Sequence, residues 1–243
     1  MQEVIFMSKF IQFFSDHYEL TNSGYYLAVA ILLALIGVMA LFIAKKQNTA
    51  ALNAKGLAFA GVCLALGFIT SYIKYELPMG GSVTFFSMFF ICLIGYTYGV
   101  RVGFSAAFAY SILQFLQSGG KYFLSPFQIC CDYFFAFTAL GIAGFWMCKK
   151  KGYIVGFIVA ALIRGVFHTL GGYIYWMDYM PESFPKSFAA IYPIVYNYSY
   201  ILLEMALTLA ALAVPVFRNA IDRVVYAVTT DKNAGNGDIS AQA

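Results

Sequence analysis

From Tyr25 onward the sequence is a succession of apolar runs, most of them as long as a membrane-spanning helix. A helix crossing the hydrocarbon core needs about 20 apolar residues, because it rises only about 1.5 Å per residue. The runs cover residues 25–44, 56–73, 83–100, 102–117, 123–148, 153–176 and 188–217. The third and fourth abut at Gly99-Val100-Arg101, so a tight turn joins them, and the fourth is short enough for a buried or tilted helix. In lipid a backbone has no water to bond, so runs of this kind close their own hydrogen bonds as helices. Composition agrees. The chain is 62% hydrophobic and 11% charged, with a mean hydropathy of +0.76. Soluble domains carry about 25% charged residues. The expectation is an all-α integral membrane protein. It has a six-helix bundle over 56–218 and an additional N-terminal transmembrane helix at 25–44, set apart by a polar linker at 45–55 (KKQNTAALNAK).

The remaining segments are polar or short. Residues 1–24 contain a run, IFMSKFIQFF at 5–14, that reads as a short helix lying at the membrane interface. The N-terminus lacks the cationic start of a cleaved signal peptide. Residues 229–243 (TTDKNAGNGDISAQA) are polar and rich in Asn and Gly, and read as a disordered tail. The five cysteines, Cys63, Cys92, Cys130, Cys131 and Cys148, all fall in apolar runs without metal or disulfide spacing, and read as small core residues.

Lysine and arginine favour cytoplasmic loops. With the linker inside, the cytoplasmic set is Lys45, Lys46, Lys55, Arg101, Lys149, Lys150, Lys151, Arg218, Arg223 and Lys232. The outer set is Lys9, Lys74, Lys121 and Lys186. This asymmetry places the N-terminus outside and the C-terminus in the cytoplasm.

Ionisable groups inside spans are costly and face the protein interior. Here they are Asp132, Arg164, His168 and Glu204. Asp132 and His168 each lie roughly 10 Å below the outer end of their span, and Asn197 reaches a similar depth. Tyr122, Tyr133, Trp176, Tyr192 and Tyr196 crowd that level. His168 and Trp176 are two helical turns apart and share a face. A carboxylate, an imidazole and an amide within aromatic walls suit a flat cationic aromatic ligand, which gains cation–π contact and a hydrogen-bonding anion. Taken singly, Trp176 and Tyr192 also fit an interfacial aromatic belt, and His168 fits a packing residue. Arg164 and Glu204 lie deeper and read as an ion pair joining the sixth and seventh spans. The sequence has no GxxxxGK[ST] loop, no HExxH and no GxSxG. It therefore carries no P-loop ATPase site and no recognisable catalytic constellation.

Four stretches, in order, carry a family likeness: PMGGSVTFFSM at 78–88, QICCDYFFAFTALGIAG at 128–144, RGVFHTLGGYIYW at 164–176 and YPIVYNYSYILLE at 192–204. From Lys55 onward the chain resembles the thiamine-specific S-components of energy-coupling-factor (ECF) transporters, the ThiT/YuaJ family. The resemblance implies a six-helix fold and a multi-pass protein of the bacterial plasma membrane that captures thiamine near the outer face, without enzymatic activity or cofactor. It implies that Asp132, His168, Tyr192 and Asn197 hold the aminopyrimidine. Trp176 and other aromatics then flank the thiazolium, and Tyr122 and Tyr133 fall on further site positions of the family. The implied partners are a transmembrane coupling subunit and two ATPases. Ala58, Gly61 and Ala65 would let another helix approach closely, or serve internal packing. Some relatives carry a lid tryptophan in the loop after their first helix. Here that loop is KYELPMGGSVT, with Gly81 near the tryptophan's place and Tyr75 as a substitute. Other readings are a thiamine precursor or another heterocyclic vitamin as substrate, an intramembrane enzyme using Asp132 and His168, or a ligand-free assembly subunit.

Overall fold

The structure of the protein, a computed structural model, describes residues 52–147 and 149–240, with 11–14, 17–20 and scattered positions between 22 and 37. Side chains are described for 52–147 and 149–230 and for a few positions before residue 38. The expected span at 25–44 and the linker at 45–55 lie largely outside the described residues, as does Cys148. The described part is overwhelmingly helical. α1 is Ala54–Thr70, α2 Ser87–Tyr98, α3 Val100–Ser118, α4 Pro126–Trp146, α5 Gly152–Tyr175, α6 Tyr192–Ala213 and α7 Pro215–Ser240. Two short antiparallel pairs accompany them: β1 (Ile11–Phe14) with β2 (His17–Leu20), and β3 (Lys74–Glu76) with β4 (Ser82–Thr84). α4, α5 and the helical stretch Lys186–Ala213 are long and apolar enough to cross a membrane, and α1 and α2 are shorter apolar helices.

The helix limits follow from local chemistry. α1 starts where the side chain of Asn53 accepts the amide of Gly56 at 2.8 Å, an N-cap bond. α4 starts at Ser125, whose hydroxyl accepts from Gln128 N at 3.1 Å, with Pro126 at the first helical position. α2 and α3 are joined by Gly99 alone, at φ 88°, ψ −179°, a conformation that glycine tolerates and other residues do not. α6 ends at Ala213, two residues before Pro215, which has no amide hydrogen to continue the ladder.

α2 is the hub. Every residue from Ser87 to Tyr98 except Phe90 is buried, which explains why this run reads as apolar on all sides. It packs against α1, α3, α4 and α5. Where α2, α3 and α4 cross one another, the backbones touch at glycines. A Cβ on Gly95 would come within 3.0 Å of Gly144 N. One on Gly141 would meet Phe104 backbone at 2.6 Å, and one on Gly144 would meet Val100 N at 2.5 Å. Small residues at such crossings let helices pack by direct contact.

Three sequence expectations are corrected. Arg164 and Glu204 form no ion pair. Glu204, 1% exposed, accepts from Thr84 N at 3.3 Å, Met88 N at 3.4 Å and Ser87 Oγ at 3.1 Å. Its charge is taken up by the N-terminus of α2, where unpaired amides and the helix dipole favour an anion. Residues 11–14 form a strand with 17–20 instead of an interfacial helix. The IQFF and HYEL runs are rich in the aromatic and branched residues that favour strands. Residues 229–240, expected as a disordered tail, continue α7. The costly first turn of that helix is already formed before them.

Glu204 yields a stability prediction. Glu204→Ala leaves the α2 amides without their acceptor, a loss of about 1–3 kcal/mol for a buried donor, and should lower the thermal unfolding midpoint in detergent. An unchanged midpoint would show that the α2 terminus does not depend on this carboxylate.

Candidate functional site: a polar cavity at one end of the bundle

A cavity of about 1110 Å³, including its open mouth, lies at the end of the bundle where α4 and α6 begin and α5 ends. All seven residues singled out from the sequence line it: Tyr122, Asp132, Tyr133, His168, Trp176, Tyr192 and Asn197.

Asp132 sits on a special stretch of backbone. α4 widens into a π-helical segment over Cys130–Phe135 and tightens to a 3-10 helix over Ala139–Trp146. Such widened turns re-aim side chains and are frequent at functional sites. Asp132 Oδ2 accepts from Gln128 Nε2 at 2.6 Å and from Trp176 Nε1 at 3.1 Å. The indole bond makes Trp176 a wall of this cavity, which decides between pocket and membrane belt. Asp132 Oδ1 lies 3.7 Å from His168 Nδ1, beyond a hydrogen bond. It is also where a Cβ on Gly171 would stand, at 2.6 Å. The missing side chain at Gly171 thus makes room for the carboxylate against α5.

His168 is held edge-on between Phe137 and Tyr200, with centroids at 6.3 and 6.0 Å, and its Nε2 is buried without a hydrogen-bond partner. Asn197 spends Nδ2 on Pro193 O at 2.8 Å and Oδ1 on Tyr200 OH at 2.7 Å. Gly172 lets it approach, because a Cβ there would lie 3.0 Å from Asn197 Nδ2. Tyr122 meets Trp176 edge-to-face at 6.1 Å.

The β3–β4 hairpin covers the mouth. Tyr196 OH bonds Pro78 O and receives Gly81 N at 3.0 Å. Tyr192 OH reaches Met79 Sδ at 3.5 Å. Met79 holds φ 66° and lines the cavity. Tyr75, the expected lid substitute, is 74% exposed and lies outside the cavity lining. In an extended strand alternate side chains point to opposite faces, and Tyr75 points outward. Lys74 pairs with Glu76 at 2.8 Å across the rim. That ammonium holds the Glu76 carboxyl below its usual range.

Sequence reasoning missed Gln128 and misplaced Arg164. Gln128, 1% exposed, links Leu124 N to Asp132. Its signal was its position one turn before the acid. Arg164 lies one turn before His168 and lines the cavity floor. Its guanidinium stands 4.4 Å from the centre of the Phe137 ring. Among the described residues no group of His, Cys, Asp and Glu could hold a metal ion.

Three comparisons bear on identity. Residues 57–222 match the family model described as "Thiamine transporter protein (Thia_YuaJ)". The thiamine transporter ThiT of Bacillus subtilis is 29% identical over 145 residues, covering 54% of this chain and 73% of that protein. Among solved structures, ThiT from Listeria monocytogenes superposes with a TM-score of 0.50 at 19% identity, covering 73% of this chain and 95% of that one. The last is a likeness of fold. The family match spans well over half of the 243 residues. The chain therefore belongs to the thiamine transporter family, Thia_YuaJ, a family of multi-pass membrane transporters and not of enzymes.

Proposed function

We propose that this chain is the substrate-binding subunit of an ECF-type importer, which captures thiamine at the outer face and hands it to a coupling subunit driven by two ATPases. The observation that carries the reading is the convergence of Asp132, His168 and Asn197 with four aromatic residues on one cavity. A thiamine molecule carries a donor-bearing aminopyrimidine and a cationic thiazolium. Asp132 is an acceptor for the exocyclic amine, and a charged acceptor strengthens such a bond. His168 Nε2 is a buried ring nitrogen without a partner, and Tyr192 and Asn197 complete the pyrimidine side. Trp176, Tyr122 and Tyr133 offer π-faces to the thiazolium, each contact worth about 0.5–2 kcal/mol.

Orientation is supported by the ends of the helices. Arg101, Lys149, Lys150, Lys151 and Arg218 follow α2, α4 and α6 at the end away from the cavity. The positive-inside rule assigns that end to the cytoplasm and the cavity to the outside. Coupling is supported by α1. Ala58, Gly61 and Ala65 are exposed, and a Cβ on Gly61 would meet nothing within 4 Å. Among the described residues nothing covers this face, while Gly56, Ala60, Cys63 and Gly67 pack inward.

The reading is tested by titrating thiamine into detergent-solubilised protein while following tryptophan emission. The only tryptophans are Trp146 and Trp176. Saturable quenching is expected, lost in Trp176→Phe, and weakened in Asp132→Asn by about tenfold to a hundredfold, as for a lost hydrogen bond to a charged group. Absence of both quenching and binding heat would reject thiamine, and a response to its aminopyrimidine precursor alone would reassign the substrate. Gly171→Ala should weaken binding as Asp132→Asn does, because the new methyl occupies the carboxylate's place. Unchanged affinity would show that Asp132 does not bind from this position. Gly61→Phe should leave thiamine binding intact and reduce uptake by cells that supply the coupling subunits. Undiminished uptake would remove α1 from the coupling surface.

A further inference from the structure

The cavity continues past the walls described above to a second polar corner, built from the last turns of α3, the loop after it and β3. Gln114, Gln117, Ser118, Lys121, Lys74 and Glu76 line that corner, and none of them takes part in the function proposed so far. Gln114 and Gln117 are three residues apart and share a face of α3. That face meets Ser71, the residue that ends α1, which is 1% exposed. Gln114 Nε2 donates to Ser71 Oγ at 2.9 Å. Gln117 Oε1 accepts from Ser71 Oγ at 3.0 Å, sharing that proton with Phe68 O at 2.6 Å. A primary amide has an acceptor end and a donor end. Gln117 spends its oxygen on holding α1 to α3, whereas its Nε2 is buried with no partner among the described residues. A cavity-lining side chain thus keeps its N–H donors unspent, and a buried donor without an acceptor is costly.

The charges around this amide decide which acceptor it suits. Lys74 is paired with Glu76 at 2.8 Å, which neutralises one ammonium. α3 ends at Ser118, and a helix C-terminus carries partial negative charge. Lys121, in the loop that follows, offsets that charge. The corner is therefore a donor site of small net charge, and such a site favours a neutral oxygen over a phosphate group. Thiamine has one oxygen of this kind, the hydroxyl that ends the ethyl chain on its thiazolium. With the aminopyrimidine at Asp132 and the thiazolium beside Trp176, that chain is the part of the molecule left to reach toward α3. We infer that Gln117 is a specificity-determining residue: its Nε2 donates to the terminal hydroxyl oxygen of the ligand and so discriminates hydroxylated ligands from those ending in a bare alkyl chain. This inference rests on the thiamine reading above and deepens it.

The test uses the full chain in detergent and two ligands, with affinities read by calorimetry. The ligands are thiamine and its deoxy analogue, in which hydrogen replaces the terminal hydroxyl. On the wild-type protein the analogue should bind about threefold to tenfold more weakly, the scale of a hydrogen bond between neutral groups. In Gln117→Leu thiamine should lose the same factor while the analogue binds as it does to wild type, so that the discrimination vanishes. Gln117→Met, closer in length to the native side chain and equally without a donor, carries the same comparison should Gln117→Leu fail to fold. Equal affinities of the two ligands for the wild-type protein would overturn the inference. A deficit retained in the variants, or a loss that falls equally on both ligands, would also overturn it, leaving Gln117 only as a clamp between α1 and α3. A wild-type chain that binds neither ligand sinks the proposed function and the inference together. Normal thiamine binding without discrimination sinks only the inference.

Discussion

A carboxylate buried among apolar helices has to be answered, and the way Glu204 is answered organises the rest of the bundle. It accepts from two backbone amides and one hydroxyl at the start of α2. These bonds tie α6 to β4 and to the hub helix. They also place Phe86 in a left-handed turn (φ 64°, ψ 0°) at the entry to α2, a conformation uncommon outside glycine and one that surrounding structure has to impose. Because β4 is held from below by Glu204, and the loop before it from above by Tyr196, the hairpin is fixed at both ends over the cavity. The same commitment of Glu204 leaves Arg164 without a carboxylate and turns it toward the cavity. One buried charge thus sets the hub, the lid and the character of the floor.

Aiming the second buried carboxylate depends on backbone rather than on charge. A regular α-helix would present Asp132 at a fixed angle set by 3.6 residues per turn. The π-helical stretch over Cys130–Phe135 changes that angle. Gly171 and Gly172 on α5 remove the two Cβ atoms that would block Asp132 and Asn197. Gln128 and Trp176 then fix the carboxylate rotamer. Holding a ligating group before the ligand arrives lowers the ordering cost of binding. That gives structural meaning to Gly171, which lies outside the cavity lining.

The sequence showed the fold class and the cavity lining for a simple reason: both are written in periodicity and depth. Apolar runs report helices, and polar side chains at one depth on several helices have few places to go except a common interior. What stayed hidden was pairing across helices. The distance from Arg164 to Glu204 along two adjacent spans suggests an ion pair, and only the position of the α2 terminus excludes it. Tyr75 and Met79 occupy the same loop, and composition favours the aromatic residue as a lid. Strand alternation turns Tyr75 outward, and it is Met79, at a left-handed turn, that lines the cavity. Residues 11–14, which form β1, were read as part of a helix because a ten-residue apolar run is ambiguous between the two periods.

The cavity carries its polar groups in two conditions. Asn197, Asp132 and Tyr200 are partnered within the protein, whereas His168 Nε2 and Arg164 Nε are buried and unpartnered. The first set keeps the walls rigid. The second leaves free energy unrealised in the empty state, since an unmade buried hydrogen bond costs about 1–3 kcal/mol. A ligand that completes those bonds recovers the cost on binding and stabilises the folded chain by mass action. A membrane protein cannot easily leave such groups to bulk water. In a cavity that takes up a ligand, the same constraint that penalises buried polar atoms becomes a source of affinity. The two residues concerned lie one turn apart on α5, and both line the cavity.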